Sequence, residues 1–495
     1  MKSALSADVL AQLHKIGLDP QRVALHHRRI VTQLQAQQGA VAAFPLVQAC
    51  RIDNGRIFPL ETVASTTVES AATVVAMVLA AGVSSRYFQS YPDLHAIQPD
   101  RLHAEARRVV NSKMALLPAL RDALQKVLQE ESPSVETRHQ LHTLLALPKA
   151  LQACKSNGRT FLAHKLQTQA AFSFLLGQVV VTPPNFRANF QQEVPAAEQP
   201  PILWETQDAA LSTLRFDLAT GEPVRDATGA LSPVPAGHGV LLEKFTAIRT
   251  RFPEVKTVWI HNIDNTGTGD PAVASAFVHF HETLRKEMEQ IREHVREGAL
   301  AIASSLAEML VARFPVRDLS FEEQAVVAAH VPAEQPLWRL LLLLFQMPLL
   351  RAGAPSLLSL LERPVNVLGV VRNLGTDAGG APVVVQTQQG EVALCLEIPH
   401  VAEESRAIFS DPQQVTHFNP VYICAECVDP AVYQGEHPYW LLARKKWQGQ
   451  TVGYHETLLS ELVGNTELAN AVFVEVPRQV FHPHKGIEDT IRLVP

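Results

Sequence analysis

The feature that most restricts this chain is a recurring pair, a short unbroken apolar run followed by a loop of small or polar residues. Residues 73–80 read Thr-Val-Val-Ala-Met-Val-Leu-Ala and stop at Ala81-Gly82-Val83-Ser84-Ser85-Arg86. Residues 178–182 (Gln-Val-Val-Val-Thr) stop at Pro183-Pro184, and residues 257–260 (Thr-Val-Trp-Ile) run into His261-Asn262-Ile263-Asp264-Asn265. A strand with one wet face alternates polar and apolar side chains. A run without that alternation is covered on both faces, as in parallel sheets. Between the runs lie stretches with helical patterning, 100–146 and 272–362, the latter with Glu and Arg pairs four residues apart between 282 and 297. Strands alternating with helices predict an α/β fold with a mainly parallel, doubly wound sheet. Such sheets bind ligands beyond the carboxyl ends of their strands.

At 495 residues the chain can bury two or three cores. Residues 1–70 form an N-terminal helical segment, with apolar positions at Val9, Leu10, Leu13 and Ile16, then Val23, Leu25, Ile30 and Leu34. Residues 71–362 form the core, carrying helical insertions near 95–146 and 272–362. Residues 363–495 form a β-rich part, with strand-like runs at 365–371, 383–386, 392–398 and 471–476, which completes the active site.

The charge pattern excludes some partners. A net charge of −6 provides no basic field for nucleic acid or anionic lipid, and Arg444-Lys445-Lys446 reads as a solvated loop. The N-terminus lacks the charged-then-apolar pattern of a signal peptide. The greasiest run, 340–350, is far short of the roughly 20 residues that span a bilayer and reads as a buried helix. Five cysteines, an odd number, argue for a reducing compartment, and we expect a cytoplasmic protein. The Cys424/Cys427 pair lies against a strand-like run with no second pair or histidine at ligand spacing, so it reads as packing rather than zinc or redox chemistry. His26-His27 and His279/His281 lack a third ligand.

Chemistry is sought in the loops that end strands. After residues 73–80, the small residues Ala80, Ala81, Gly82, Ser84 and Ser85 let backbone N–H groups approach an anion, and Arg86 can fork onto phosphate oxygens. The plain alternative is a tight strand-to-helix turn. This loop is neither GxxxxGK[ST] nor GxGxxG, and the absence of GxGxxG disfavours a nicotinamide enzyme.

The loop resembles the LAxGx(S/T/G)(S/T)R signature of the sugar nucleotidyltransferases. Downstream, Leu147-Pro148-Lys149-Ala150-Leu151 and Gly158-Arg159-Thr160-Phe161-Leu162 resemble that superfamily's PKALLPVxGxxxL pattern. Arg86 and Lys149 stand 63 residues apart, more than in most members. The helical insertion explains the gap, and a surface lysine after a proline is the alternative for Lys149. Pro235-Ala236-Gly237-His238-Gly239 resembles the PxGHG loop that lies against uracil in eukaryotic-type UDP-sugar pyrophosphorylases, and otherwise reads as a turn. Asn262-Ile263-Asp264-Asn265 resembles their (N/S)xDN element, whose aspartate binds Mg²⁺. Asp264 could instead cap a helix. Residues 476–485 resemble their VPRxxFxPVK stretch, with Lys485 on the phosphate-binding lysine and His484 where the family has Val.

The whole chain resembles still more closely a bacterial domain-of-unknown-function family related to these enzymes. That family combines PAGHG, NIDN, VxGxVxNxGxxxGG, THFNPV and FVEVP segments, here Gly237 to Gly239, Asp264, 367–380, 416–421 and 473–477. The resemblance implies a Rossmann-like doubly wound mixed sheet, the nucleotidyltransferase fold. It also implies a Mg²⁺-dependent pyrophosphorylase joining a nucleoside triphosphate, favouring UTP, to a sugar 1-phosphate. Arg86, Lys149 and Lys485 would act on phosphates, Asp264 on Mg²⁺, and the other named loop residues on the nucleotide. Arg372, Asn373 and Gly379-Gly380 could face the sugar or form a turn. Two rivals remain: a non-catalytic nucleotide- or sugar-phosphate-binding protein that keeps the fold, and a transferase for a non-sugar phosphate. The sequence carries no second metal carboxylate.

Overall fold

Val74–Leu79 is a strand buried along its whole length, as its unbroken apolar run requires. It pairs in parallel with Leu175–Thr182, which pairs in parallel with Ile202–Thr206. These three strands belong to one of two compact units, formed by residues 72–206, 260–274 and 479–495. The computed structural model describes residues 5–35, 44–63, 73–82, 98–112, 116–154, 158–194, 200–226, 228–263, 265–266, 270–347, 356–375, 379–387, 390–434, 437, 439–447 and 449–482.

Among the described residues, the long interval between the first two strands of this unit holds the helices Pro99–Val110, Pro118–Gln129 and Val135–Leu145, followed by Phe161–Gln169. Proline at the first position starts two of them, where its missing N–H costs nothing. Ser134 caps the third by accepting from the Thr137 N–H at 3.2 Å. Leu102, Ala106, Leu120, Leu124, Val127 and Leu141 bury against Val78, Val180, Leu162 and Leu166 in one core. The insertion therefore adds hydrophobic layers to the sheet rather than forming a separate body.

The other unit comprises residues 1–71, 207–259 and 275–478. Its central strand, Val365–Arg372, runs parallel to Asn470–Glu475 on one side and antiparallel to Tyr422–Glu426 on the other. Phe58–Pro59 extends the sheet in parallel beyond Asn470–Glu475. The result is a mixed sheet. Smaller sheets surround it, one from Leu46–Ala49, Ala381–Thr387 and Gly390–Leu396, another from Trp440–Trp447, Gln450–Thr457 and Phe216–Asp217. The N-terminal helices Ala7–Lys15 and Pro20–Gln35 pack Leu13, Val23 and Ile30 against Leu442 and Tyr454 of the second of these.

The helical stretch near 272–362 resolves into Pro271–Arg296, Leu300–Val311, Phe321–Ala328, Gln335–Leu343 and Leu357–Leu361. A reciprocal capping box, Ser320 with Glu323, starts the third. Leu340 to Phe345 are buried, so the greasy run is core. Among the described residues no helix is long and apolar enough to cross a membrane. Cys424 is wholly buried within the strand Tyr422–Glu426, and burial drives its thiol well above the ordinary range. That environment disfavours the thiolate that redox or metal chemistry needs.

Candidate functional site

Where the strand Val74–Leu79 ends, Ala80 still donates its N–H to Val181 O at 3.0 Å and is buried. The chain then leaves the sheet. A side chain at Gly82 would meet nothing within 4 Å among the described residues. Ser84, Ser85 and Arg86 lie outside the described residues.

Pro148 and Lys149 begin a short 3₁₀ turn, Lys149–Leu151. The Gln152 side chain holds it by donating to Leu144 O at 3.0 Å, and Phe161 N–H donates to Gln152 O at 3.0 Å. Thr160 caps the next helix, Phe161–Gln169, by accepting from Ala163 N–H. Lys149 itself is only 7% exposed, which removes the reading as a surface lysine.

Asp264 also lies outside the described residues, but its flanks are fixed. Thr266 Oγ1 donates to Asn262 O at 3.1 Å, and His482 N–H donates to Asn265 O at 2.8 Å. Thr266 and Phe481 form an antiparallel bridge. The chain that leads to Lys485, itself outside the described residues, is thus paired with the loop around Asp264. Ala80, Ala150, Leu151 and Ile263 belong to one hydrophobic core. Immediate neighbours of Ala81, Lys149 and Asp264 are therefore anchored by the same buried cluster, although 183 residues separate the first from the last.

Sequence reasoning missed Lys165. It lies on the buried face of the helix Phe161–Gln169, 4% exposed, and its ammonium donates to the carbonyl and hydroxyl of Thr266. Next to it His261 is fully buried against Gln169. Burial holds that imidazole well below its usual range and the Lys165 charge adds to the effect, so it is neutral. His482 is shifted down for the same two reasons. The only sequence sign was a lysine in an otherwise apolar helical face, a pattern that usually marks a solvated stem.

Gly237, His238 and Gly239 belong to the other unit. Gly237 has φ +92°, and a Cβ there would sit 2.4 Å from Thr457 O. Only glycine suits that conformation and clearance. Gly239 is equally confined, with Thr457 Cγ2 at 2.7 Å from a built Cβ. Thr457 N–H donates to Ala236 O at 2.8 Å, so the segment is clamped along the strand end. His238 is exposed between the two glycines.

The Gly379-Gly380 region is a packing and hydrogen-bond network. Asn419 donates its amide N–H₂ to Gly369 O at 2.7 Å and its backbone N–H to Gly380 O at 2.7 Å. Arg372 and His417 both engage Glu475 at 3.1 Å, and Asn373 accepts from Gly375 N–H. Among the described residues no group of three His, Cys, Asp or Glu side chains is placed to hold a metal ion.

The backbone is similar to several solved structures, among them the following. UDP-glucose pyrophosphorylase from Leishmania major aligns at 14% identity and TM-score 0.51, covering 99% of this chain and 80% of that one. A point mutant of that enzyme in complex with UDP-glucose aligns at 15% identity and TM-score 0.51, covering 99% and 79%. UDP-glucose phosphorylase from Trypanosoma brucei aligns at 13% identity and TM-score 0.51, covering 98% and 78%. At such identities the likeness establishes the fold. No curated protein sequence matches. Residues 185–494 match the family described as a domain of unknown function, DUF4301, and since that match spans more than half of the sequence, the chain belongs to that family.

Proposed function

We propose that the protein is a Mg²⁺-dependent nucleotidyltransferase that forms a nucleotide sugar from a nucleoside triphosphate, UTP foremost, and a sugar 1-phosphate, releasing pyrophosphate. The observation that carries this reading is the convergence in one unit. The end of Val74–Leu79, the Pro148-Lys149 turn and the Asn262–Thr266 loop share a core, and the tail before Lys485 pairs with that loop. The solved proteins of the same fold include one bound to UDP-glucose, which supports a nucleotide-sugar partner.

In the proposed reaction a phosphate oxygen of the sugar 1-phosphate attacks the α-phosphorus of the nucleotide in line. One P–O bond forms, the bond from the α-phosphorus to the bridging oxygen breaks, and pyrophosphate leaves with that oxygen. Such transfer depends on positioning and charge neutralisation more than on covalent help. The amides of Ala81 to Ser85, with Arg86, would receive the leaving pyrophosphate, whereas the Ala80 N–H is taken up by Val181 O and leaves Ala80 to shape the loop's start. Lys149 and Lys485 would neutralise charge at the α-phosphate, and Gly237, His238 and Gly239 would lie by the base. Lys165, fastened to Thr266, would fix the loop that carries Asp264.

In this reading the cation is Mg²⁺, held at the loop between Ile263 and Asn265. Asp264 would be its carboxylate ligand there, while the nearby His261 is neutral and engaged with Gln169. Mg²⁺ in nucleotide enzymes is commonly held by one or two carboxylates together with substrate phosphates. When bound, the cation would offset phosphate charge.

The test is pyrophosphate release from UTP and a panel of sugar 1-phosphates with Mg²⁺, in the wild type and in Lys149→Ala. Turnover that falls roughly 10²- to 10³-fold in the variant is expected. Nucleotide binding without turnover on any sugar would instead establish a non-catalytic binding protein.

A further inference from the structure

A cavity of about 590 Å³ lies wholly within the unit of residues 1–71, 207–259 and 275–478. Its walls are the turn at Arg56, the start of the helix Phe321–Ala328, the chain just after the helix Gln335–Leu343, and the hairpin of Ala381–Thr387 with Gly390–Leu396. None of its lining residues comes from the phosphate loops or from the glycine segment at Gly237. Its chemistry is therefore separate from the proposed transferase reaction and is tested without it.

Arg56 lines this cavity and is only 8% exposed. Its Nη1 donates to Gln346 Oε1 at 3.0 Å, and among the described residues its guanidinium has no other hydrogen bond and no ion pair. The remaining N–H groups are accessible from the cavity. The buried carboxylate in the same wall is already taken. Glu323 accepts from Arg317 Nη1 at 2.6 Å and Nη2 at 2.5 Å, and from Ser320 N–H at 2.8 Å. Burial lowers the pKa of Arg56, yet an arginine keeps its charge in a protein. A buried charge is normally paired, so spare donors on this one call for an acceptor.

Gln346 is placed to aim that cation. It follows the helix Gln335–Leu343 where a helix commonly ends on a left-handed glycine, and it has φ +48°. Met347 N–H closes the turn on Leu341 O at 3.0 Å. The left-handed backbone strains a glutamine. Its side chain, however, grips Arg56 twice, since Nε2 also donates to Arg56 O at 3.0 Å. Glycine would close the same turn without strain but could not hold the guanidinium.

The exposed part of the wall has the opposite sign. Glu391, across the hairpin from Gln386, and Glu322 are both exposed. Among the described residues Glu391 has no hydrogen bond or ion pair, and Glu322 accepts only from the Ser320 hydroxyl at 3.1 Å. One buried cation with donors to spare and two exposed carboxylates with lone pairs to spare make the wall dipolar, with no surplus of positive charge. A simple anion would satisfy Arg56 and be repelled by the glutamates. A simple cation would leave Arg56 unanswered. A ligand with an acceptor-only end and a donor-only end meets both, and Val326, Met347 and Val384 add apolar wall for a short hydrocarbon stem. We propose that this cavity binds a small zwitterion of the amino-acid class, its carboxylate on Arg56 and its ammonium group toward Glu391 and Glu322.

The experiment is calorimetric titration of the full chain, in buffer free of amines, carboxylates and phosphate, with glycine, β-alanine, γ-aminobutyrate and δ-aminovalerate. The length that binds best reports the span between the two ends of the site. Acetate and methylamine, each carrying one end alone, are the controls. One saturable site is expected for at least one zwitterion, roughly tenfold tighter than either control. Affinity for it should fall roughly tenfold or more in Arg56→Gln. In the double variant Glu322→Gln/Glu391→Gln, changed only at exposed positions, it should fall roughly threefold or more while acetate binds no more weakly than before. Thermal unfolding verifies that each variant is folded, and if Arg56→Gln is not, the double variant decides. No saturable zwitterion binding in the millimolar range overturns the proposal. So does acetate binding as tightly as the best zwitterion, or zwitterion affinity unchanged in the folded double variant.

Discussion

The stacked pair His26 and His455 makes stability depend on pH in a way that can be worked through. Both rings are buried, at 4% and 1% exposure. Burial, then the charges of Arg22 and Arg29, push His26 down to about 3. His455 is driven well below its ordinary value by burial first, then by His26 and Arg29. In the unfolded chain both return to about 6.5. A base whose folded pKa is depressed contributes its full stability above 6.5 and loses it as the pH falls, because only the unfolded state takes up protons. Lowering the pH from 7 to 5 stabilises the unfolded state by about 2 kcal/mol for each such ring, or about 4 kcal/mol for the two. The measurement is the urea unfolding free energy at pH 7 and pH 5, in phosphate- and carboxylate-free buffer, for the wild type and for His26→Gln/His455→Gln. His261 and His281, also buried with depressed values, contribute equally to both proteins and cancel in the difference. The wild type should lose about 4 kcal/mol more than the double variant over this range. Equal losses would refute the assignment of neutral, proton-refusing rings.

Three further changes have directions set by the structure. Gly237→Ala forces a side chain into φ +92° with its Cβ 2.4 Å from Thr457 O, so a loss of about 3 kcal/mol or more is expected in thermal unfolding, and an unchanged melting temperature would contradict the geometry. Arg292→Met removes a buried guanidinium that donates to Leu361 O at 2.8 Å and Arg363 O at 2.7 Å and pairs with Glu426, so chemical denaturation should report a loss of about 3–5 kcal/mol. Cys424, wholly buried, and Cys427, whose thiol burial raises to about 12, should resist a thiol reagent at pH 8 until the chain is unfolded, and rapid native labelling of either would count against the packing role.

Much of the architecture was legible because burial on two faces leaves a trace in sequence. The runs at 73–80, 178–182 and 257–260 lack polar alternation, and all three are central strands. The helical insertion was legible for the complementary reason. Apolar positions such as Leu102, Ala106 and Val109 recur at three- and four-residue spacing and face one core. Less legible was the return of the chain end. Asn470–Glu475 pairs in parallel with Val365–Arg372, more than 100 residues earlier, while residues from Gln479 onward belong to the other unit. Pairing between remote segments depends on register and on neighbours that no local window contains. The two units are therefore each discontinuous, and a division of the chain into consecutive segments could not have expressed that.

The candidate site divides along the same line. Its small-residue loop, Pro-Lys turn and glycine segment are local patterns, readable wherever the backbone must approach a ligand or turn sharply. The groups that hold those patterns in place are not local. Lys165 reaches Thr266, 101 residues away, and His482 reaches Asn265 from the far end of the chain. In sequence Lys165 is one charge among 43 lysines and arginines. What distinguishes it is that its stem is buried and its ammonium ends on a carbonyl close to Asp264 in the chain. A buried ammonium left without such a partner would cost several kcal/mol, so the lysine and the loop constrain each other. The geometry of the loop thus depends on the helix Phe161–Gln169, which follows the Pro-Lys turn in the chain. That dependence explains why the motif residues could be recognised one at a time while their support could be seen only in the folded chain.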